Sequence, residues 1–226
     1  MSMNYGKTSY SLISITTQIT LPEVTLMADV NIPTPPKGII ILAQTSSHEF
    51  KNIPVINELL RNQFGVVEVN LFTKQELLSG ISVNDLEVIT GRLIGVTKWV
   101  KRVFAEGEMS LGLWGFGKGA AAVLKASIEL EDMVKVIVCR EGRTDLVSDI
   151  INKVTAPTLL IVDELNKELI KLNKLAQQVA PAVEKLLIIK DDSLSSYKTN
   201  STEVRESVKW IDQNICNEVH FMNALA

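Results

Sequence analysis

Gly115-Phe116-Gly117-Lys118-Gly119 follows the apolar run Met109–Trp114 and precedes the small, apolar stretch Ala120–Leu124. A strand, a tight turn on alternate glycines and then a helix make the layout of a nucleophile elbow, G-x-Nuc-x-G. In such a turn the middle residue projects a reactive oxygen or sulfur, and the helix N-terminus offers N–H groups to an oxyanion. Here the middle residue is Gly117. Glycine accepts positive φ without strain, so the bend survives while the attacking atom is missing. Nucleophilic chemistry also needs a general base oriented by a third group. The chain has two histidines, His48 and His220. His220 lies in the C-terminal stretch. His48 follows the apolar run Gly38–Ala43, at the carboxyl edge where open α/β sheets bind ligands. It reads either as a loop histidine or as a polar group lining a residual pocket.

Other reactive patterns are weaker. Gly112–Gly119 nearly spells the phosphate-binding G-x-x-x-x-G-K-[ST], but Gly119 stands where Ser or Thr would hold magnesium. Lys118 and Gly119 remain candidates for gripping a carboxylate or phosphate at the helix start. Cys139 ends an apolar strand with no histidine placed to lower its pKa, so it reads as a buried small residue. Arg140, Glu141, Arg143 and Asp145 form a charged string after that strand, either an ion-paired loop capping the next helix or a basic patch for a partner or anionic ligand. The acid pairs Asp163-Glu164 and Asp191-Asp192 suit solvated turns better than a hard-metal site. No metal or cofactor is expected.

The elements that must position these residues follow from pattern. Tyr10–Thr20 and Val24–Asn31, rich in Ile, Thr and Val, read as an antiparallel hairpin before the Pro33–Gly38 break. Continuous apolar runs at Gly38–Ala43, Val66–Phe72, Ser110–Trp114, Val134–Cys139, Thr158–Val162 and Leu186–Ile189 read as strands buried on both faces of a parallel sheet. Helices are predicted over Pro54–Phe64, Asp85–Ala105, Ala120–Leu130, Asp145–Lys153, Lys167–Val179 and Ser201–Ile215. The second of these carries one apolar stripe, Leu86, Ile89, Leu93, Val96, Val100 and Phe104. Arg92, Lys98, Lys101 and Arg102 on its other face read as solvated. Trp99, Trp114 and Trp210 read as core or helix-packing residues, with no basic–aromatic pattern for nucleic acid. Repeated strand-then-helix alternation gives a mainly parallel sheet covered on both sides. No repeat or long linker appears, so residues 1–226 read as one domain, with 1–37 as N-terminal strands and 217–226 as a tail.

Three strings together resemble the dienelactone hydrolase-like branch of the α/β-hydrolases. They are the elbow, Cys139-Arg140-Glu141-Gly142-Arg143-Thr144-Asp145-Leu146, similar to S-R-G-G-R-P-D-L, and Ala156-Pro157-Thr158-Leu159-Leu160-Ile161-Val162, similar to the strand that delivers the acid. The resemblance covers roughly Val24 to Ile215 and implies the α/β-hydrolase fold. It also implies where a triad should stand. Gly117 matches the Ser or Cys, Asn166 the acid, and Leu194 the histidine, while Gln44-Thr45 stands where an H-G turn helps form the oxyanion hole. All of these positions depart together, which argues for loss of the hydrolytic reaction.

Bulk properties bound the rest. Of 226 residues, 46% are hydrophobic, enough for a substantial core, and the net charge of −3 gives no basic field for nucleic acid or acidic membranes. Two distant cysteines, no basic-then-apolar leader and no apolar run of ~20 residues lead to the expectation of a cytoplasmic protein without a membrane span. The expected role is binding, scaffolding or assembly, through a protein partner or homo-oligomer. An anionic small-molecule sensor and a hydrolase with non-standard machinery, its water activated by Asp163, Glu164 or Asp191, stand as alternatives.

Overall fold

The computed structural model describes residues 2–3, 10–45, 53–79, 85–104, 109–190 and 201–223. Among the described residues nine strands form a single sheet: β1 (Ser2–Met3), β2 (Tyr10–Thr20), β3 (Thr25–Thr34), β4 (Gly38–Gln44), β5 (Phe64–Asn70), β6 (Leu111–Phe116), β7 (Val134–Arg140), β8 (Thr158–Asp163) and β9 (Lys185–Ile189). Their spatial order is β1-β2-β3-β5-β4-β6-β7-β8-β9. The first four in that order pair antiparallel, and all pairs from β5–β4 to β8–β9 are parallel. The expected hairpin at one edge of a mainly parallel sheet is therefore present.

The helices are α1 (Ile53–Arg61), α2 (Lys74–Ser79), α3 (Leu86–Phe104), α4 (Lys118–Leu130), α5 (Lys167–Val179) and α6 (Ser201–Asn223). Two apolar layers cover the sheet. On one face Ile39 and Ile41 of β4 pack with α3 and α4; on the other Ile40 and Leu42 pack with Val55 and Leu59 of α1 and with Val208 and Ile211 of α6. This is why the central strands read as unbroken apolar runs rather than as alternation. Trp114 and Trp210 are buried in the second layer, and Trp99 packs against the first with its ring edge-on to Phe104 at 5.5 Å.

Several expected boundaries shift for identifiable reasons. The helix predicted over Asp145–Lys153 is instead two single 3₁₀ turns, Thr144–Val147 and Ile151–Lys153. Ser148 Oγ donates to the Asp145 carbonyl at 3.1 Å, a local side-chain bond that competes with the helical ladder. Helix α1 stops at Arg61, short of Phe64, because Gln63 turns into positive φ of 64° and Phe64 opens β5. That left-handed stop is usually marked by glycine and here is not. Helix α6 continues past Ile215 to Asn223, since no Gly or Pro interrupts it. Helix α2 forms where the sequence pattern predicts no element. Its start is a capping box: Thr73 N–H donates to Glu76 Oε2 at 2.8 Å, and Glu76 N–H donates to Thr73 Oγ1 at 3.2 Å.

Candidate functional site

The carboxyl ends of β4, β6, β7 and β8 lie side by side at the edge of a parallel sheet where ligands bind. The turn after β6 is a tight one. Gly117 has φ 55° and ψ −115°, a combination that side-chain-bearing residues adopt only under strain. Its N–H donates to the Arg140 carbonyl at 2.9 Å, and its own carbonyl accepts from Arg143 N–H at 3.2 Å. The bend is thus clamped to the neighbouring strand end. Among the described residues no atom lies within 4 Å of a Cβ built on Gly117.

The flanking glycines are there for contact. A Cβ on Gly115 would lie 2.5 Å from the Gly119 carbonyl oxygen, and one on Gly119 would lie 3.1 Å from the Ala43 oxygen. Gly115 thus lets the start of α4 approach β6 closely, and Gly119 sits tightly against the end of β4. Gly112 lies inside β6, where a Cβ would reach within 2.7 Å of Ile40 Cδ1. The near-match to a phosphate loop therefore begins in a strand, and its spacing comes from packing.

Asn166, expected from the resemblance to match the acid, caps α5: its Oδ1 accepts from Leu169 N–H at 3.2 Å. Its amide nitrogen donates to Glu141 Oε2 at 3.3 Å. The other Glu141 oxygen accepts from Asp163 N–H at 2.6 Å. Glu141 is half-buried and sits at positive φ of 50°. Burial pushes its carboxyl above the usual carboxylate range, against the pull of the Asp163 N–H. In the sequence Glu141 reads only as one member of a charged string. The signal that could have found it is the similar string S-R-G-G-R-P-D-L, which has glycine at this position, as a left-handed backbone prefers.

The remaining candidates are dispersed or already paired. Arg140 points to the α6 side of the sheet, over the Phe116 ring at 5.4 Å, with Nε 2.7 Å from the buried Glu203 carboxylate. Arg143 holds Asp145 in a two-point pair, 2.8 and 2.7 Å, so the charged string is ion-paired. Gln44 turns its amide to Glu68 at 2.5 Å, while Thr45 lies against Gly119. Lys118 opens α4 and is half-buried. Cys139 is fully buried against the Ala120 carbonyl, its sulfur 3.7 Å away, and desolvation pushes its thiol up, as a small core residue should be. Asp163 Oδ1 caps the next turn through Leu165 N–H at 2.8 Å. Arg92, expected on a solvated face, instead forks onto Glu76. His48, Leu194, Asp191 and Asp192 lie outside the described residues, and only the backbone of His220 is described, within α6. Among the described residues no cluster of three His, Cys, Asp or Glu is arranged to hold a metal, and no helix is long and apolar enough to cross a membrane.

No family model matches the chain. It is similar over 90% of its length to the crystal structure of a dienelactone hydrolase from Anabaena variabilis, with 23% identity, 98% of that chain covered and a TM-score of 0.81. An esterase from Pyrococcus furiosus, Pf2001, gives 16% identity, 90% and 93% coverage and a TM-score of 0.65. These likenesses establish an α/β-hydrolase fold. By sequence, 175 residues are 31% identical to two Mycobacterium tuberculosis proteins provisionally named phosphoribosyl transferases. The match takes in 76% of this chain but only 40% of theirs, so the chain spans about two fifths of the length of these curated relatives.

Proposed function

We propose that this chain is an α/β-hydrolase fold that no longer hydrolyses esters or lactones and serves as a binding or assembly module. The carrying observation is Gly117, which keeps the backbone of a nucleophile elbow but has no side chain to attack with. Asn166 supports the same reading, because its amide is engaged with Glu141 and with the start of α5. A fold outlives its reaction when a surface on it remains useful. Assay of the purified chain with short-chain aryl esters and lactones tests this. The expected rate is that of buffer. Turnover well above buffer, abolished by Glu141→Gln, would overturn the proposal.

The mycobacterial relatives favour one class of partner. Three fifths of their length lies outside the match. We place the phosphoribosyl chemistry implied by their name in that remainder and read the matched segment as its companion. The isolated chain should then release no pyrophosphate from phosphoribosyl pyrophosphate with any nucleobase. Release by this chain alone would move the chemistry here.

A further inference from the structure

The two edges of the sheet are built differently. Strand β9 is five residues long, begins at Lys185 and is followed by Lys190, with Lys185 paired to Glu206 at 2.8 Å. Short length and lysines are the usual guards against edge pairing. Strand β2 has neither. It runs for eleven residues, YSLISITTQIT, with no charge, no proline and no lysine. Among the described residues, β1 pairs with it only at Tyr10 and Ser11, and no strand lies on its outer side from Leu12 to Thr20. Among the described residues no strand pairs with the outward N–H and C=O groups of that stretch.

Side chains extend the pattern. Ile13, Ile15, Thr17 and Ile19 stand opposite Ile32, Val30, Ala28 and Leu26 of β3 and share their face. Those four β3 residues and Ile19 are buried, yet Ile13 is 45% and Ile15 46% exposed. An apolar face continuous with the core therefore ends in the open. On the opposite face Ser14 and Thr16 bond to Asn31 and Asp29.

We propose that β2 pairs antiparallel with β2 of a second copy of this chain, joining two sheets across a two-fold axis. The occupant is argued from charge and symmetry. An uncharged strand meets its own copy with no like charges opposed, and an isologous contact closes after two copies. Keeping both apolar faces on one side requires an axis normal to the sheet, so each residue pairs with one of equal parity. Using all of Leu12–Thr20 then sets Thr16 against its own copy, Ile13 against the partner's Ile19 and Ile15 against the partner's Thr17. Nine facing pairs give about eight to ten hydrogen bonds, the number in a standard interface.

This proposal rests on the assembly reading above, but its test does not involve ester turnover, so either can fail alone. Sedimentation of the full chain at 1–100 μM should show a mass near twice 25.0 kDa. Ile15→Lys, on an exposed site, should fold with unchanged far-UV dichroism and raise the dimer dissociation constant at least tenfold. Thr16→Cys should form a disulfide-linked dimer under mild oxidation, whereas Thr20→Cys should not. A monomer at 100 μM, a dimer indifferent to Ile15→Lys, or cross-linking through Thr20→Cys instead of Thr16→Cys would each overturn it.

Discussion

Glu141 adopts a left-handed backbone at φ 50°, and the strain of such a residue is about 1–2 kcal/mol. Its carboxylate spans the exits of β7 and β8 by accepting from Asp163 N–H and from the Asn166 amide. The Glu141 carboxylate and the Asn166 amide thus act as one unit. An aspartate at 166 would put a second carboxylate 3.3 Å from the first. Asn166→Asp should therefore destabilise the fold by about 1–3 kcal/mol at pH 7, by loss of the donor and by like-charge repulsion. Glu141→Gln should restore most of that loss, giving a coupling measurable in a double-mutant cycle of denaturant unfolding. The pH dependence has a definite sign. Burial raises the Glu141 carboxyl above its ordinary value of 4.5, so its contribution is fully present below that pH and is lost as pH rises through the folded value. Glu141→Gln alone should accordingly gain stability at pH 7 and gain nothing at pH 4. Equal gains at both pH values would contradict the burial argument.

At the scale of elements, helix α2 buries none of its six residues and is held by charge. Arg92 of α3 donates to Glu76 at 2.6 and 3.0 Å and to the Leu71 carbonyl at 2.8 Å. The Arg92 fork, helped by Thr73, pulls the Glu76 carboxyl down to about 2. A depressed carboxylate contributes stability above its unfolded pKa of 4.5 and loses it as pH falls toward about 2. Amide exchange in residues 73–79 should therefore speed up as pH drops through that window, beyond the intrinsic pH dependence. Glu76→Gln should show fast exchange already at pH 7, with global stability lower by about 1–2 kcal/mol. The same elements show what sequence can and cannot convey. The central strands were readable because burial on both faces leaves unbroken apolar runs, as in Ile39–Ala43. The elbow was readable because contact distances exclude any Cβ at Gly115. The stop at Gln63, the turn at Glu141 and the two 3₁₀ turns after Thr144 were not. Each depends on backbone angles or local side-chain bonds that ordinary residues adopt here without a glycine to announce them. Arg92 and Glu76 lie sixteen residues apart on different helices, so their pairing leaves no trace in local pattern.

For the whole molecule, the sheet is shared by two apolar layers that do not touch except through it. Successive residues of β4 serve them alternately, Ile39 and Ile41 one layer, Ile40 and Leu42 the other. Loss of either layer would expose strands whose opposite side chains hold the second, so the layers cannot come apart independently at small cost. One cooperative transition is expected, and the tryptophans are placed to check it. Trp99 packs against the α3–α4 layer, while Trp114 and Trp210 lie in the α1–α6 layer. A Trp114→Phe/Trp210→Phe variant reports only the first layer by fluorescence, and Trp99→Phe reports only the second. In each variant the fluorescence midpoint in guanidinium should coincide with that of far-UV dichroism. Separated midpoints in either variant would divide the chain into two folding units. A single unit would also tie the Gly117 elbow to the stability of the whole fold. Its glycines hold α4 against β6 and β4, at the centre of the structure both layers depend on.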